Sequence, residues 1–201
     1  MNIGVLVSGS GSNLQAIIDS IEAGVIKESS VKVVISNRRE AYALERAKKH
    51  GIETVYLNGK DFATREEYDK KIVEILQERG VELVVLAGYL RWITSYFVEK
   101  FKNRILNIHP SLLPSFKGLH GIEQAFDYGV KVTGVTVHFV DETEDGGAVI
   151  LQEPVIIEEK DTLETLEEKI HKVEHVLYPK AIELYRIGKL KMEGRKVKIE
   201  G

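Results

Sequence analysis

The sequence predicts an α/β fold with a doubly wound, mostly parallel sheet and an antiparallel C-terminal portion. In the first half of the 201-residue chain, short runs of β-branched and other apolar residues alternate with helix-length amphipathic segments. These runs are apolar throughout, as in strands that are covered by helices on both faces. In the second half, two strand-like runs flank a short acidic turn, which is typical of an antiparallel hairpin.

Five strands are predicted in the first half, each from one short apolar run. They cover residues 3–7, 31–36, 53–57, 83–88 and 104–109. Between them, residues 14–24 and 65–80 carry apolar side chains at helical spacing, and each segment runs to a glycine, a common residue at the end of a helix. The alternation predicts parallel strands that are joined through helices.

The second half predicts a hairpin, a long helix and a second hairpin. Strand-like runs at 131–140 and 148–157 flank the acidic, glycine-bearing turn DETEDGG. Residues 162–188 follow as a helix, with acidic residues early and basic residues late, the order that the helix dipole favours. The tail at 189–200 is typical of a small hairpin that turns at Gly194.

The composition describes a globular protein and excludes several kinds of site. The chain is 43% hydrophobic and 29% charged with a formal net charge of −3, so no global field attracts nucleic acid. It contains no cysteine, which excludes disulfides, thiolate zinc sites and cysteine nucleophiles. It shows no basic leader and no apolar run of about 20 residues, so we expect a cytoplasmic protein without a membrane partner. We expect one domain over residues 1–201.

The segment VLVSGSGSNLQ ends the first strand in a glycine and serine loop and enters a helix near Ser12 or Asn13. Backbone amides at such a helix start, with these two side chains, can hold an anionic group such as phosphate. Leu14 stands where the dinucleotide fingerprint has its third glycine, and no lysine follows as in a P-loop, so a monophosphate fits better. The alternative is an ordinary strand-to-helix turn that Ser12 caps.

Asn107 and His109 are two residues apart at the end of a predicted strand that Pro110 terminates. On an extended strand both side chains project from one face. At the carboxyl end of a parallel strand, that face opens on the crevice where such sheets bind ligands. The amide can donate to an oxyanion, and the imidazole can donate or accept a proton. The alternative is a pair of hydrogen-bonded polar side chains without chemistry.

The acidic turn offers a partner for that imidazole. Asp145 precedes two glycines, which allow the backbone to pass close to a ligand. A carboxylate beside His109 would hold the imidazole in its charged form. The alternative is a solvated hairpin turn, which is how Asp141, Glu142 and Glu144 are interpreted from the residues alone.

With these residues placed, the sequence resembles the folate-dependent formyltransferases, and among them the phosphoribosylglycinamide formyltransferase family of purine synthesis. The resemblance covers roughly residues 1–190. It is carried by SGSGSNLQAI, VVLAGYLRWI, LNIHPSLLPSFKGLHG, GVTVHFVDETEDGGAVILQ and EHVLYP. NIHPSLLP and the later Asp-Gly are shared with methionyl-tRNA formyltransferase and formyltetrahydrofolate hydrolase. Each of those enzymes would need a further domain, and we expect no room for one in 201 residues. SGSGSNLQ is the segment that cradles the ribose phosphate in the glycinamide enzymes.

The resemblance implies a role for each matching position. Gly11, Ser12 and Asn13 would hold the phosphate of the acceptor, and Glu174 would meet its glycinamide end. The implied folate-contacting positions are Arg65, Tyr89, Leu90, Arg91, Trp92, Ile93, Asn107, Asp141, Glu142, Thr143 and Glu144. His120 and His138 fall near the site, and Trp92 stands where an aliphatic residue is more usual. Residues 1–100 would form the phosphate-substrate half and residues 101–201 the folate and catalytic half.

The expected reaction is direct formyl transfer from 10-formyltetrahydrofolate, a cosubstrate, to the acceptor amine, with no metal. Asn107 and protonated His109 would stabilise the tetrahedral oxyanion, and Asp145 would keep the imidazole charged. The expected partners are small molecules, and the chain is expected to be a monomer or a homodimer. Three other functions stay open: another 10-formyltetrahydrofolate enzyme (a deformylating hydrolase or the core of a tRNA formyltransferase), a non-catalytic phosphometabolite sensor, and an NADP oxidoreductase. For the last of these, Arg38 and Arg39 could meet a 2′-phosphate, although the missing third glycine argues against it.

Overall fold

A computed structural model describes all residues, 1–201, as two compact units, residues 1–106 and residues 107–201. The first unit alternates strands and helices, and β5 crosses the boundary between the units. In chain order these elements are β1 (Asn2–Val7), α1 (Ser12–Glu22), β2 (Ser30–Ser36), α2 (Tyr42–Lys49), β3 (Glu53–Tyr56), α3 (Arg65–Glu78), β4 (Leu83–Leu86), α4 (Ser95–Lys100) and β5 (Ile105–His109).

The strands of the first unit are parallel and follow the order β3-β2-β1-β4. The central strand β1 is buried from Ile3 to Val7, because its apolar side chains face covering helices. Gly4 lets one of these helices approach closely, since a Cβ there would lie 2.4 Å from Cδ2 of Leu76 on α3. Parallel strands place all their carboxyl ends on one side, where the loops that follow β1 and β4 begin.

The second unit contains the antiparallel portion. Its elements are α5 (Gly121–Tyr128), β6 (Val132–Phe139), β7 (Val149–Ile156), α6 (Leu163–Arg186), β8 (Leu190–Glu193) and β9 (Lys196–Ile199). Strands β6 and β7 pair antiparallel, as do β8 and β9. The terminal hairpin is joined to the rest of this unit through Val149, which pairs with Lys196, and through Arg195, whose Nη2 donates to the Gly146 carbonyl at 2.7 Å.

The predicted fold class is confirmed, with parallel strands in the first unit and antiparallel pairs in the second. The predicted strands and the two helices at 14–24 and 65–80 are present with ends shifted by a few residues. The long helix starts at Leu163 because Thr162 caps it, accepting a hydrogen bond from the Thr165 backbone. Helices α2, α4 and α5 have eight residues or fewer and lacked a helical signal of sufficient length. No helix of the chain has the length and apolar character needed to cross a membrane.

Candidate active site

Asn107 and His109 lie at the carboxyl end of β5, on the same face of the strand, as their spacing predicts. His109 is 4% exposed and Asn107 is half-buried. The chain leaves the strand at Pro110, which supplies no backbone N–H to continue a ladder. An amide and an imidazole are therefore presented together at the end of a buried strand.

The segment after β5 is pinned to β6 and β7 by a buried hydrogen-bond network. The Thr136 hydroxyl donates to the Ser111 carbonyl at 2.7 Å and accepts from the Leu113 backbone at 3.0 Å. Gln152 Nε2 donates to the Leu113 carbonyl at 2.9 Å. Since the backbone groups of the segment are paired in this way, its conformation is held firmly next to Asn107 and His109.

Both ring nitrogens of His109 face acceptors. Nε2 lies 2.7 Å from the Phe116 carbonyl oxygen, and Nδ1 lies 3.4 Å from Oδ2 of Asp145. A neutral imidazole can donate from only one nitrogen, whereas an imidazolium donates from both. Both nitrogens of His109 are therefore placed to donate a hydrogen bond whenever the ring is protonated.

Asp145 is held in place by the backbone of the segment that follows β5. Its Oδ2 accepts a hydrogen bond from the Gly118 N–H at 2.8 Å, and its backbone adopts a left-handed conformation with φ of 44°. The side chain is 13% exposed. A carboxylate that is fixed by a backbone donor and largely removed from water interacts more strongly with a nearby cation than an exposed one does.

His138 completes the group from β6. Its Nδ1 lies 2.8 Å from the Phe139 carbonyl oxygen, and its Nε2 lies 3.2 Å from Nδ2 of Asn107. Burial lowers the pKa of His138, which is 2% exposed, below the ordinary value for histidine. The neutral ring therefore carries its proton on Nδ1 and accepts a hydrogen bond from the Asn107 amide at Nε2.

The group of Asn107, His109, Asp145 and His138 is suited to stabilising a developing oxyanion. The Asn107 amide has a second N–H that it can donate while the first is held by His138. His109 adds a second side chain that can donate on the same strand face. No side chain here has the nucleophile–base pairing that a covalent intermediate would need. The arrangement fits direct transfer of an acyl group.

Four of the predicted positions lie in the acidic turn beside Asp145. Asp141 Oδ1 accepts from the backbone N–H and the hydroxyl of Thr143, at 2.8 and 2.6 Å, which closes a tight turn. Glu142 and Glu144 are exposed, and Lys117 Nζ donates to the Glu144 carbonyl at 3.1 Å. The turn thus presents carboxylates to solvent.

Two other predicted positions lie at the start of α5 and within α6. His120 is largely exposed and pairs with Glu123, with Nδ1 2.8 Å from Oε1, at the start of α5. Glu174 is 5% exposed in the middle of α6. The structure shows no hydrogen bond or ion pair that links His120 to Asn107, His109 or Asp145.

In the first unit, α1 begins at Ser12, directly after the glycine and serine loop. Gly11 is the residue before the first helical turn, with φ of 75°, and no side chain caps the helix. The alternative in which Ser12 caps the helix is therefore wrong. Asn13 is buried, at 9% exposure. The helix start leaves backbone N–H groups without an intrahelical partner, as an anion site requires.

The segment at 89–93, also in the first unit, has no regular secondary structure and is tied down through its backbone. The Leu90 N–H donates to the Ser8 hydroxyl at 2.8 Å, and Arg65 Nη2 donates to the Trp92 carbonyl at 3.2 Å. Leu90 and Trp92 are about half exposed, at 49% and 46%.

The remaining side chains of this segment are turned to the protein. Tyr89 lies with its hydroxyl 3.5 Å from that of Tyr68, Arg91 stacks on the Tyr68 ring at 4.2 Å, and Ile93 is buried. Of the predicted folate contacts in this segment, the Leu90 and Trp92 side chains are therefore the most exposed, Tyr89 and Arg91 are half-buried, and Ile93 is buried.

Sequence reasoning missed the backbone groups that orient the side chains of His109 and Asp145. The Phe116 carbonyl faces His109 and the Gly118 N–H binds Asp145. Every residue has a backbone carbonyl and nearly every residue has an N–H, so the residue types do not reveal which of these groups orient a side chain. Gly118, at φ of 80°, was the one visible signal. No group of three or more histidine, cysteine or acidic side chains is arranged to hold a metal ion.

Comparison with known proteins gives consistent matches. The profile of a family described as formyl transferase matches residues 1–182. The phosphoribosylglycinamide formyltransferase of Escherichia coli strain K12 is 42% identical over 201 residues, which cover 100% of this chain and 94% of that protein. The crystal structure of glycinamide ribonucleotide transformylase 1 from Symbiobacterium toebii superimposes with a TM-score of 0.97 at 48% identity, covering 100% of this chain and 94% of that one.

A further relative is much longer than this chain. The trifunctional purine biosynthetic protein adenosine-3 of Chironomus tentans is 45% identical over 196 residues. The match covers 96% of this chain but spans only 14% of the length of that protein.

Proposed function

Because the chain belongs to the formyl transferase family, we propose that it transfers the formyl group of 10-formyltetrahydrofolate to the amine of 5-phosphoribosylglycinamide, a step of purine synthesis. The observation that carries the chemistry is the convergence of Asn107, His109 and Asp145, with Nδ1 of His109 3.4 Å from the carboxylate. The choice of acceptor is supported by the identity to the Escherichia coli phosphoribosylglycinamide formyltransferase along the whole chain.

The proposed reaction is a direct displacement at the formyl carbon. The acceptor amine attacks that carbon and forms a C–N bond, and the carbonyl oxygen becomes an oxyanion that the Asn107 amide and the His109 imidazolium stabilise. The bond to N10 of the folate then breaks, and the proton lost by the amine reaches N10 through ordered water beside Asp145. The products are the formylated acceptor and tetrahydrofolate.

We assign the two substrates to different parts of the chain. Gly11, Ser12 and Asn13 bind the phosphate of the acceptor, and Glu174 binds its glycinamide end. The folate lies against the segments at 89–93 and 141–144, with Arg65 and Asn107. This assignment keeps 1–100 as the phosphate-substrate half and 101–201 as the folate and catalytic half of one domain. The reaction needs no metal, and we expect it to take place in the cytoplasm on a monomer or a homodimer.

Alanine substitution tests the proposed catalytic side chains. Loss of a preorganised oxyanion donor commonly lowers the rate by about 10²- to 10³-fold, so Asn107→Ala and His109→Ala should each reduce kcat by that order. Asp145→Ala should do the same, because His109 loses its counter-ion. The measurement is the rate of tetrahydrofolate formation in the presence of glycinamide ribonucleotide.

A matched control is His171→Ala, which removes an exposed histidine of α6 and should leave kcat unchanged. Near-wild-type turnover in any two of the three catalytic variants would overturn the mechanism. Release of formate without formylation of the acceptor would instead identify a hydrolase, and binding of both substrates without turnover would identify a sensor.

A further inference from the structure

We propose that Arg46, on α2, is a positioning residue for the acceptor's phosphate and acts through the carbonyl of Ser10. This inference rests on the proposed function and deepens it, since it names a residue outside the phosphate loop on which recognition of the phosphate depends. The phosphate loop is residues 9–13, which follow β1 and include the first two residues of α1. Three contacts between α2 and this loop carry the inference.

Helix α2 holds two successive carbonyl groups of the phosphate loop. The Ala43 N–H donates to the Gly9 carbonyl at 3.2 Å, and Arg46 Nε donates to the Ser10 carbonyl at 2.9 Å. The two elements are also packed tightly, because a Cβ on Gly11 would lie 2.6 Å from Cβ of Ala43. The orientation of two neighbouring peptide groups is therefore set by α2.

The orientation of these carbonyls determines where the next N–H groups point. In a planar trans peptide, the carbonyl and the following N–H point in opposite directions. With the carbonyls of Gly9 and Ser10 turned to α2, the N–H groups of Ser10 and Gly11 are aimed away from it. Neither N–H donates to any group of the protein. Successive backbone donors that lead into a left-handed residue, here Gly11 at φ of 75°, form an anion-binding concavity.

Arg46 is itself held in place, so it can act as a fixed clamp. Its Cζ lies 4.9 Å from the centre of the Tyr42 ring, and its Nη1 lies 3.4 Å from Oε1 of Gln15. The planar guanidinium donates in several fixed directions at once, which lets one side chain bind the Ser10 carbonyl and α1 together. Loss of Arg46 frees the Ser10–Gly11 peptide to rotate, and the Gly11 N–H rotates with it, while the Ala43 N–H still holds the Gly9 carbonyl.

The variant Arg46→Gln tests this role. We expect the Kd for glycinamide ribonucleotide, measured by titration calorimetry, and the KM for it to rise about tenfold, as for the loss of one charge-assisted hydrogen bond. The kcat and the KM for 10-formyltetrahydrofolate should stay unchanged, because the folate and the formyl group meet other residues. Lys48→Gln is the matched control: it removes the same charge from the same helix, at a side chain that pairs only with Glu45.

A second variant distinguishes loss of the hydrogen bond to Ser10 from loss of side-chain packing. Arg46→Lys keeps a donor that can reach the Ser10 carbonyl and should recover most of the lost affinity. Equal losses in Arg46→Lys and Arg46→Gln, an equal loss in Lys48→Gln, or an Arg46→Gln Kd within about twofold of wild type would overturn the inference. If the wild-type protein formylates the acceptor, such a result leaves the proposed function standing. Failure of the wild-type protein to bind glycinamide ribonucleotide would overturn both.

Discussion

At the scale of single residues, His138 shows how burial gives a histidine a role that depends on its staying neutral. Its Nε2 can accept the Asn107 amide proton only while that nitrogen is unprotonated. Burial disfavours the charged ring, and the proximity of His109 acts in the same direction. The Phe139 carbonyl and Asp145 act in the opposite direction, and burial is the largest effect.

The lowered pKa of His138 predicts a loss of stability in acid. In the unfolded chain this ring takes up a proton near the ordinary value of 6.5, but in the folded protein it does so only at lower pH. Between the two values the unfolded state binds more protons, so the free energy of unfolding falls as the pH falls below about 6.5. Thermal unfolding midpoints measured at neutral and acidic pH should show this decline.

The variant His138→Gln supplies the comparison for that experiment. Glutamine does not titrate, so the variant should lose less stability between neutral and acidic pH than the wild type does. His171→Gln, which removes an exposed histidine from α6, should keep the wild-type decline. An acid-induced loss of the same size in the wild type and in His138→Gln would contradict the prediction.

At this scale the sequence predicts side chains better than it predicts what orients them. The two-residue spacing of Asn107 and His109 was sufficient to place both on one strand face, and the glycines after Asp145 pointed to a close approach. The Phe116 carbonyl could not be anticipated, because its direction depends on a left-handed backbone at φ of 49° in a residue type that rarely adopts it.

At the scale of elements, α3 controls the segment that we assign to the folate. Asp69 is 2% exposed, and its Oδ2 accepts from both the backbone N–H and the hydroxyl of Thr94, at 2.6 and 2.8 Å. One turn earlier on α3, Arg65 donates to the Trp92 carbonyl. The helix therefore fixes the end of the segment at 89–93 from two of its side chains.

We predict that Asp69→Ala weakens folate binding more than acceptor binding. The change removes both hydrogen bonds and leaves the Thr94 N–H without its buried partner, at a cost of about 1–3 kcal/mol. The KM for 10-formyltetrahydrofolate should rise about tenfold while the KM for glycinamide ribonucleotide changes little. Steady-state kinetics with each substrate varied in turn measure both values.

A suitable control is Glu66→Ala on the same helix. Glu66 is exposed and pairs with Lys70 across one turn, so its removal should leave both KM values unchanged. An equal rise in both KM values for Asp69→Ala would mean that the carboxylate supports the fold in general rather than this segment.

Helix α2 marks the limit of element prediction from this sequence. It spans eight residues, and three buried positions, Ala43, Leu44 and Ala47, give it a weak apolar face. Two of the three are alanines, whose small side chains let the helix pack closely against its neighbours. The apolar face is therefore narrow. A sequence pattern shows where large apolar side chains recur, but it does not show how closely two elements pack. Helix α2, which holds the phosphate loop, was not predicted for this reason.

At the scale of the whole molecule, the repeated strand-to-helix alternation was strong enough to predict the fold class, because each parallel strand leaves a continuous apolar run. The proposed site was harder to predict from the sequence, because its residues lie far apart in the chain. Asn107 and Asp145 are separated by the length of α5 and β6, and residue spacing alone does not bring them together. The glycines after Asp145 suggested that link and the resemblance supported it, and the ion-pair distance between His109 and Asp145 agrees with both.

The segment at 89–93 also carries the only tryptophan of the chain. Trp92 is 46% exposed and its backbone carbonyl is held by Arg65, so the indole lies on the surface that we assign to the folate. The tryptophan fluorescence of the protein therefore comes from a single indole at this position. Folate binding should change its emission in the unlabelled enzyme, which gives each variant described above an optical titration of donor binding that is independent of turnover.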